Sequence, residues 1–228
     1  MGRILPSLAW VFIAAVPVFA QSAAPQPLPP QPMPTNRAYD SYRIYSSLLP
    51  FGETALPAGP HDLLLVDDVT VSAVPPGQPC KPASADQADM NPHIAVHPTA
   101  DRKQDFAEIL ADFDAHCHDR IALNAESFNT TVPLRLLTPA EQKEFSIAHG
   151  GLLHRADPAA VAAAQEKYKG ASALYAFSEV YFNQHQNVAL VYATHWCGSL
   201  CGQGMWLAFA LENGRWKPLP WDATSWIS

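Results

Sequence analysis

The amino-acid sequence predicts an α+β fold, a C-terminal antiparallel β-meander packed by amphipathic helices. Three observations carry that expectation. Apolar runs at 174–183, 188–194 and 205–212 have strand-like patterning, and Asn213-Gly214 then supplies the dipeptide favoured in a type I′ hairpin turn. Upstream, Phe106, Ile109, Leu110, Phe113 and Cys117 recur on one face of a helix. Two further helix starts are written as Thr138-Pro139-Ala140-Glu141 and Asp157-Pro158, each a capping residue with proline at the first helical position.

The chain has 228 residues, 48% hydrophobic and 15% charged, enough for one core and one domain. At its start Arg3 is followed by the unbroken apolar run 8–16 and by Val18-Phe19-Ala20, the pattern of a signal peptide over residues 1–20. The run is far shorter than the roughly 20 residues that span a bilayer, so no membrane span is expected after cleavage. No cysteine follows it to carry a lipid anchor. Residues 21–35 are mostly Pro, Gln, Ala and Ser and predict a disordered linker, leaving 36–228 as a single α+β domain.

Export implies a periplasmic or secreted protein in an oxidising compartment, where four cysteines can form two disulfides. Cleavage would take the formal net charge from −7 to −8. Such a surface repels phosphate backbones, which excludes nucleic acid as a partner.

Within the domain, Asn36 is the expected cap of a first helix bearing Ala38, Tyr42, Tyr45 and Leu49 and ended by Pro50. Residues 63–66 form a continuous apolar run and 69–73 alternate, which predicts a strand buried first on both faces and then on one. Asp67 and Asp68 sit at the changeover; with no third acid nearby they are read as a solvated bend. His93 and His97 have metal-ligand spacing on a helix, but Pro92 and Pro98 bracket them and argue against a helix there. Asp101 with Gln104 resembles a capping box for the apolar-striped helix. His116 and His118 invite a metal reading, but residues two apart on a helix point about 200° apart and cannot share an ion unless the helix has already ended; Asp112/His116 and Asp114/His118 have workable spacing, each pair giving two ligands of the usual three or four. Gly150-Gly151 is expected to stop the helix that begins at Thr138, and Gly170 the one that begins at Asp157.

The hairpin register places Glu212 opposite Arg215, Leu211 opposite Trp216, Ala208 opposite Leu219 and Trp206 opposite Trp221. Trp206 and Trp221 are then a candidate ligand platform, unless another element covers that face. Between strands, Trp196, Cys197, Gly198, Cys201 and Gly202 form a glycine-rich loop whose cysteines can bridge it. A bridged Cys197–Cys201 leaves Cys80 to pair with Cys117 and pin the irregular segment onto the helix. A competing reading makes Cys197 a nucleophile served by His195, although dyads are not usually built from residues two apart.

The runs Ser178-Glu-Val-Tyr-Phe-Asn183, Ala189-Leu-Val-Tyr192, Cys197-Gly-Ser-Leu-Cys-Gly202, Gly214-Arg-Trp-Lys217 and Trp226-Ile-Ser228 resemble the C-terminal segment of uncharacterised exported bacterial proteins. The resemblance implies export and the meander, and no mechanism. The combined expectation is an exported non-enzymatic binding or structural domain that takes a small ligand or a cell-envelope component through Trp206, Trp221, Trp196, Gly198 and Gly202. No cofactor, catalytic set or metal is expected. The alternatives are a hydrolase or thiol enzyme centred on Cys197 and His195, and a metal-binding protein using His116 and His118.

Overall fold

The computed structural model describes residues 28–49, 62–72, 74–82, 90–149, 157–198 and 201–227. The predicted signal peptide, Pro50 and the Gly150-Gly151 stop lie outside them. A short strand β1 (Gln31–Pro32) falls inside the predicted linker, so that end of the linker is docked on the domain. Helix α1 (Thr35–Ser47) follows; its N-cap residue is Pro34, which makes no side-chain cap bond, and Asn36 lies inside the first turn. Strand β2 (Leu64–Asp67) covers only the first half of the predicted strand. Beyond it the chain leaves the ladder. Val69 makes an isolated bridge to Ala122, and the Thr70 and Val71 N–H groups donate to the carbonyls of Ile121 and Phe177.

A single helical turn, α2 (Pro92–Ala95), forms between the bracketing prolines but ends before His97, so His93 and His97 do not share a helix. Pro92 sits in the first turn, where a missing N–H costs nothing, and Asn91 caps it by accepting from the His93 N–H at 3.1 Å. After β3 (Val96–His97), the long helix α3 (Lys103–His116) begins through a 3-10 turn. The expected Asp101/Gln104 box is absent, and Gln104 donates to Glu108 instead. Strands β4 (Ile121–Ala122) and β5 (Leu134–Leu137) lead to α4 (Pro139–Ala148), where Thr138 and Glu141 close the capping box the sequence predicts. Asp157 caps α5 (Pro158–Lys167), and Gly170 beyond it adopts φ +85°.

The C-terminal strands are β6 (Leu174–Phe177), β7 (Tyr181–Phe182), β8 (Val188–Gly198), β9 (Cys201–Glu212), β10 (Arg215–Pro218), β11 (Asp222–Ala223) and β12 (Ser225–Ile227). The main sheet runs β10-β9-β8-β6-β2-β5, with β7 beside β8 and β12 beside β9. Its meander half is antiparallel, as predicted. Its other half is parallel, because β2 pairs in the same direction with both β5 and β6. Asn213 and Gly214 take φ +51° and +73°, and Arg215 and Trp216 face Glu212 and Leu211 as expected.

That register does not continue to the tryptophans. Leu219 still donates its N–H to the Ala208 carbonyl at 2.8 Å, in the expected register, but beyond it Trp221 leaves the ladder, and Met205 and Gly204 face Ser225 and Trp226 of β12. Trp226 donates from its indole to Tyr192 at 2.6 Å, directly over Gly204, where an added Cβ would collide with both rings.

Helices cover both faces of the sheet. Tyr42, Ile44 and Tyr45 of α1 pack with Val66, Phe177, Val191, Phe209 and Trp216. On the opposite face Ile109 and Phe113 of α3 pack with Tyr181, Leu190, Tyr192 and Trp206, while Phe145 of α4 and Tyr168 cover Leu65 and Leu137. Cys80 is bonded to Cys117 and Cys197 to Cys201, the two expected pairings. No helix among the described residues is long and apolar enough to cross a membrane.

Candidate functional site

Flanked on both sides by parallel strands, β2 delivers its carboxyl end to the kind of crevice where open α/β sheets bind ligands. Asp67 is its last residue, opposite Leu137 of β5. Asp68 follows, its N–H donating to the Leu137 carbonyl at 3.1 Å. The chain then forms one wall with Val69, Val71, Val74, Pro75 and Pro76. Pro139 and Gln142 of α4 line another part, and His118 and Arg120 a third. The cleft measures about 640 Å³, within the roughly 300–1,000 Å³ usual for small-molecule sites.

The polar atoms of the cleft divide into occupied and unoccupied sets. Thr70 Oγ1 accepts from the Ile121 N–H at 2.8 Å, and the Ser72 hydroxyl lies against the Val74 and Cys117 carbonyls. Arg120 donates to the Leu28 carbonyl at 3.3 Å, and His118 hydrogen-bonds the Gln78 carbonyl at 2.8 Å. By contrast, Asp67 Oδ1 and Asp68 Oδ1 are buried and have no hydrogen-bond partner among the described residues. Burial pushes the Asp67 carboxyl up to about 7, and the Asp68 charge adds to the shift. Asp68 is also raised by burial, while its own backbone N–H and Arg120 pull it back. The solvated bend expected here is therefore a pair of half-buried carboxyls facing a cavity.

A second polar cluster lies between α1, α3 and the β6–β7 turn. Arg37 donates to Glu179 Oε1 at 2.7 Å and pairs with Asp112. Asp112 Oδ2 also accepts the Phe182 N–H at 2.8 Å. His116 lies 2.8 Å from Asp119 and 3.7 Å from Asp112. Burial raises the Glu179 carboxyl to about 7 even though Arg37 and His116 oppose the shift.

The residues singled out from sequence do not assemble into one surface. Trp206 is 2% and Trp221 9% exposed, because α3 and the segment before it cover their face; Trp206 donates to the Met90 carbonyl and Trp221 meets Phe106 edge-on. Trp196 packs against Phe145 on the face covered by α4 and α5. Gly198 and Gly202 lie within the β8–β9 ladder, opposite Cys201 and Trp196, so this stretch is the end of a long hairpin and not an open loop. With Cys197 in a disulfide, a Cys197/His195 thiol dyad has no thiol. Because α3 ends at His116, His118 turns to Gln78 while His116 faces Asp119, and the two do not share a site.

The local sequence marks Asp67 and Asp68 as adjacent acids but carries no sign of the cavity beside them. Arg37 and Glu179, 142 residues apart, carried no local signal at all. No protein-family model matches the chain, and neither the curated proteins nor the solved structures contain a match.

Proposed function

We propose that the protein is an exported, non-enzymatic binding domain whose ligand occupies the cleft beside Asp67 and Asp68. Two disulfides and the signal-peptide pattern support export. The observation that carries the binding reading is a cavity of ligand size lined by two acids, each with one buried carboxyl oxygen that lacks a hydrogen-bond partner among the described residues. A buried acceptor without a donor costs on the order of 1–3 kcal/mol, and a ligand that supplies the donor recovers it. The complementary molecule is small and carries an amine on an apolar body, matching two acids at one end and valine and proline walls at the other. The Thr70 and Ser72 hydroxyls in the cleft are engaged with backbone, which favours binding over nucleophilic chemistry.

Amide NMR shifts on addition of hexylamine test this, with hexanoate as the charge-reversed control. Hexylamine is expected to perturb Val69, Val71, Ser72, His118 and Gln142, and an Asp67→Asn/Asp68→Asn variant to abolish the effect. Equal perturbation by hexanoate, or amine shifts confined to another face, would refute the assignment.

A further inference from the structure

We infer that His116, Asp119 and Glu179 form a binding site for one divalent first-row cation, separate from the Asp67/Asp68 cleft. One ligand atom from each of the three residues lies within 4.8 Å of the other two. An imidazole nitrogen with two carboxylate oxygens is a donor set that zinc accepts, leaving a further position open.

A grouping of acids alone would not establish a site, but Glu179 adds an independent observation. It is 2% exposed, its Oε1 is held by Arg37, and its Oε2 is buried with no hydrogen-bond partner among the described residues. A buried carboxylate oxygen left without a donor is costly unless a cation or a proton reaches it. Charge balance points the same way. Asp112, Asp119 and Glu179 contribute three negative charges when ionised, Arg37 returns one, and a divalent ion would neutralise the remainder.

The surroundings resemble the outer shell of metal centres. His116 Nδ1 faces Asp119 at 2.8 Å, while Nε2 lies 3.7 Å from Asp112, within ion-pair range but beyond a hydrogen bond. Asp112 is itself held by Arg37 and by the Phe182 N–H. The side chains of His116 and Asp119 are 40% and 35% exposed, which gives an ion a route in. In the other grouping of ligand type among the described residues, Cys80, Cys117 and His118, the sulfurs are joined in a disulfide and offer no thiolate.

The test is zinc binding by the full chain, stripped with chelator under non-reducing conditions and titrated against a chromophoric competitor. One equivalent is expected to bind, about tenfold or more weaker in His116→Ala and in Asp119→Asn, and unchanged in His118→Ala. The two weakened variants should retain the wild-type circular dichroism spectrum, since both changes are at the surface end of the cluster. No bound equivalent, an equivalent insensitive to both substitutions, or one lost in His118→Ala would overturn the assignment.

Discussion

Asp67 and Glu179 carry the same perturbation in different surroundings. Both carboxyls are raised to about 7, and in both burial is the main cause. Around Glu179 the protein supplies a counter-charge: Arg37 is buried beside it, stacks over Phe182 at 5.4 Å and ties it to Asp112. Around Asp67 no charge among the described residues opposes the shift, and the one that acts on it is another acid, Asp68. A similar displacement thus marks an ion network built into the packing in one place and a pair of acids lining a cleft in the other. The contrast is why the cleft, and not the more heavily charged cluster, is assigned to an organic ligand.

Loss of Arg37 is expected to have the greatest consequence for stability. Removing one partner of a buried ion pair leaves the others uncompensated, at a cost of about 3–5 kcal/mol. Arg37→Ala is therefore expected to lower the urea midpoint strongly without altering the response of the cleft to hexylamine. A change below about 1 kcal/mol would mean that solvent already screens the cluster.

The Asp67 side of the comparison predicts an opposite and pH-dependent change. Its carboxyl rises from 3.8 to about 7 on folding, so between those values the folded protein holds a proton that the unfolded chain has released. Stability must then fall as pH rises from about 4 to about 7, by at most roughly 4 kcal/mol from this residue. Asp67→Asn, which does not titrate, is expected to match wild type near pH 4 and to exceed it in urea unfolding at pH 8. Glu179 is raised in the same sense and leaves a residual slope in the variant. Parallel pH profiles for the two proteins would show that Asp67 is solvated.

How far the sequence revealed this arrangement depended on how local each cause was. The Thr138 and Asp157 caps, the Asn213-Gly214 turn and the apolar stripe of α3 depend on residues within a few positions, and all form as expected, although the equally local Asn36 cap and Asp101/Gln104 box do not. The short strand β5 lacked a local pattern strong enough to announce it, and with it went the parallel half of the sheet. That omission concealed the site, because the crevice at Asp67 exists only where β2 lies between β5 and β6. The tryptophans misled for the converse reason. Alternation correctly put Trp206 on the face away from Phe209, but only the tertiary position of α3 shows that this face is buried.

Ligand binding in the cleft depends on Asp67 being a buried carboxyl without a compensating charge among the described residues. Its titration can be followed directly by carbon NMR of labelled aspartate side chains, with the resonance assigned by its absence from Asp67→Asn. A midpoint near 7 is predicted for the free protein. A midpoint near the ordinary 3.8 would contradict the account, returning Asp67 and Asp68 to a solvated bend and removing the reason to place a ligand beside them.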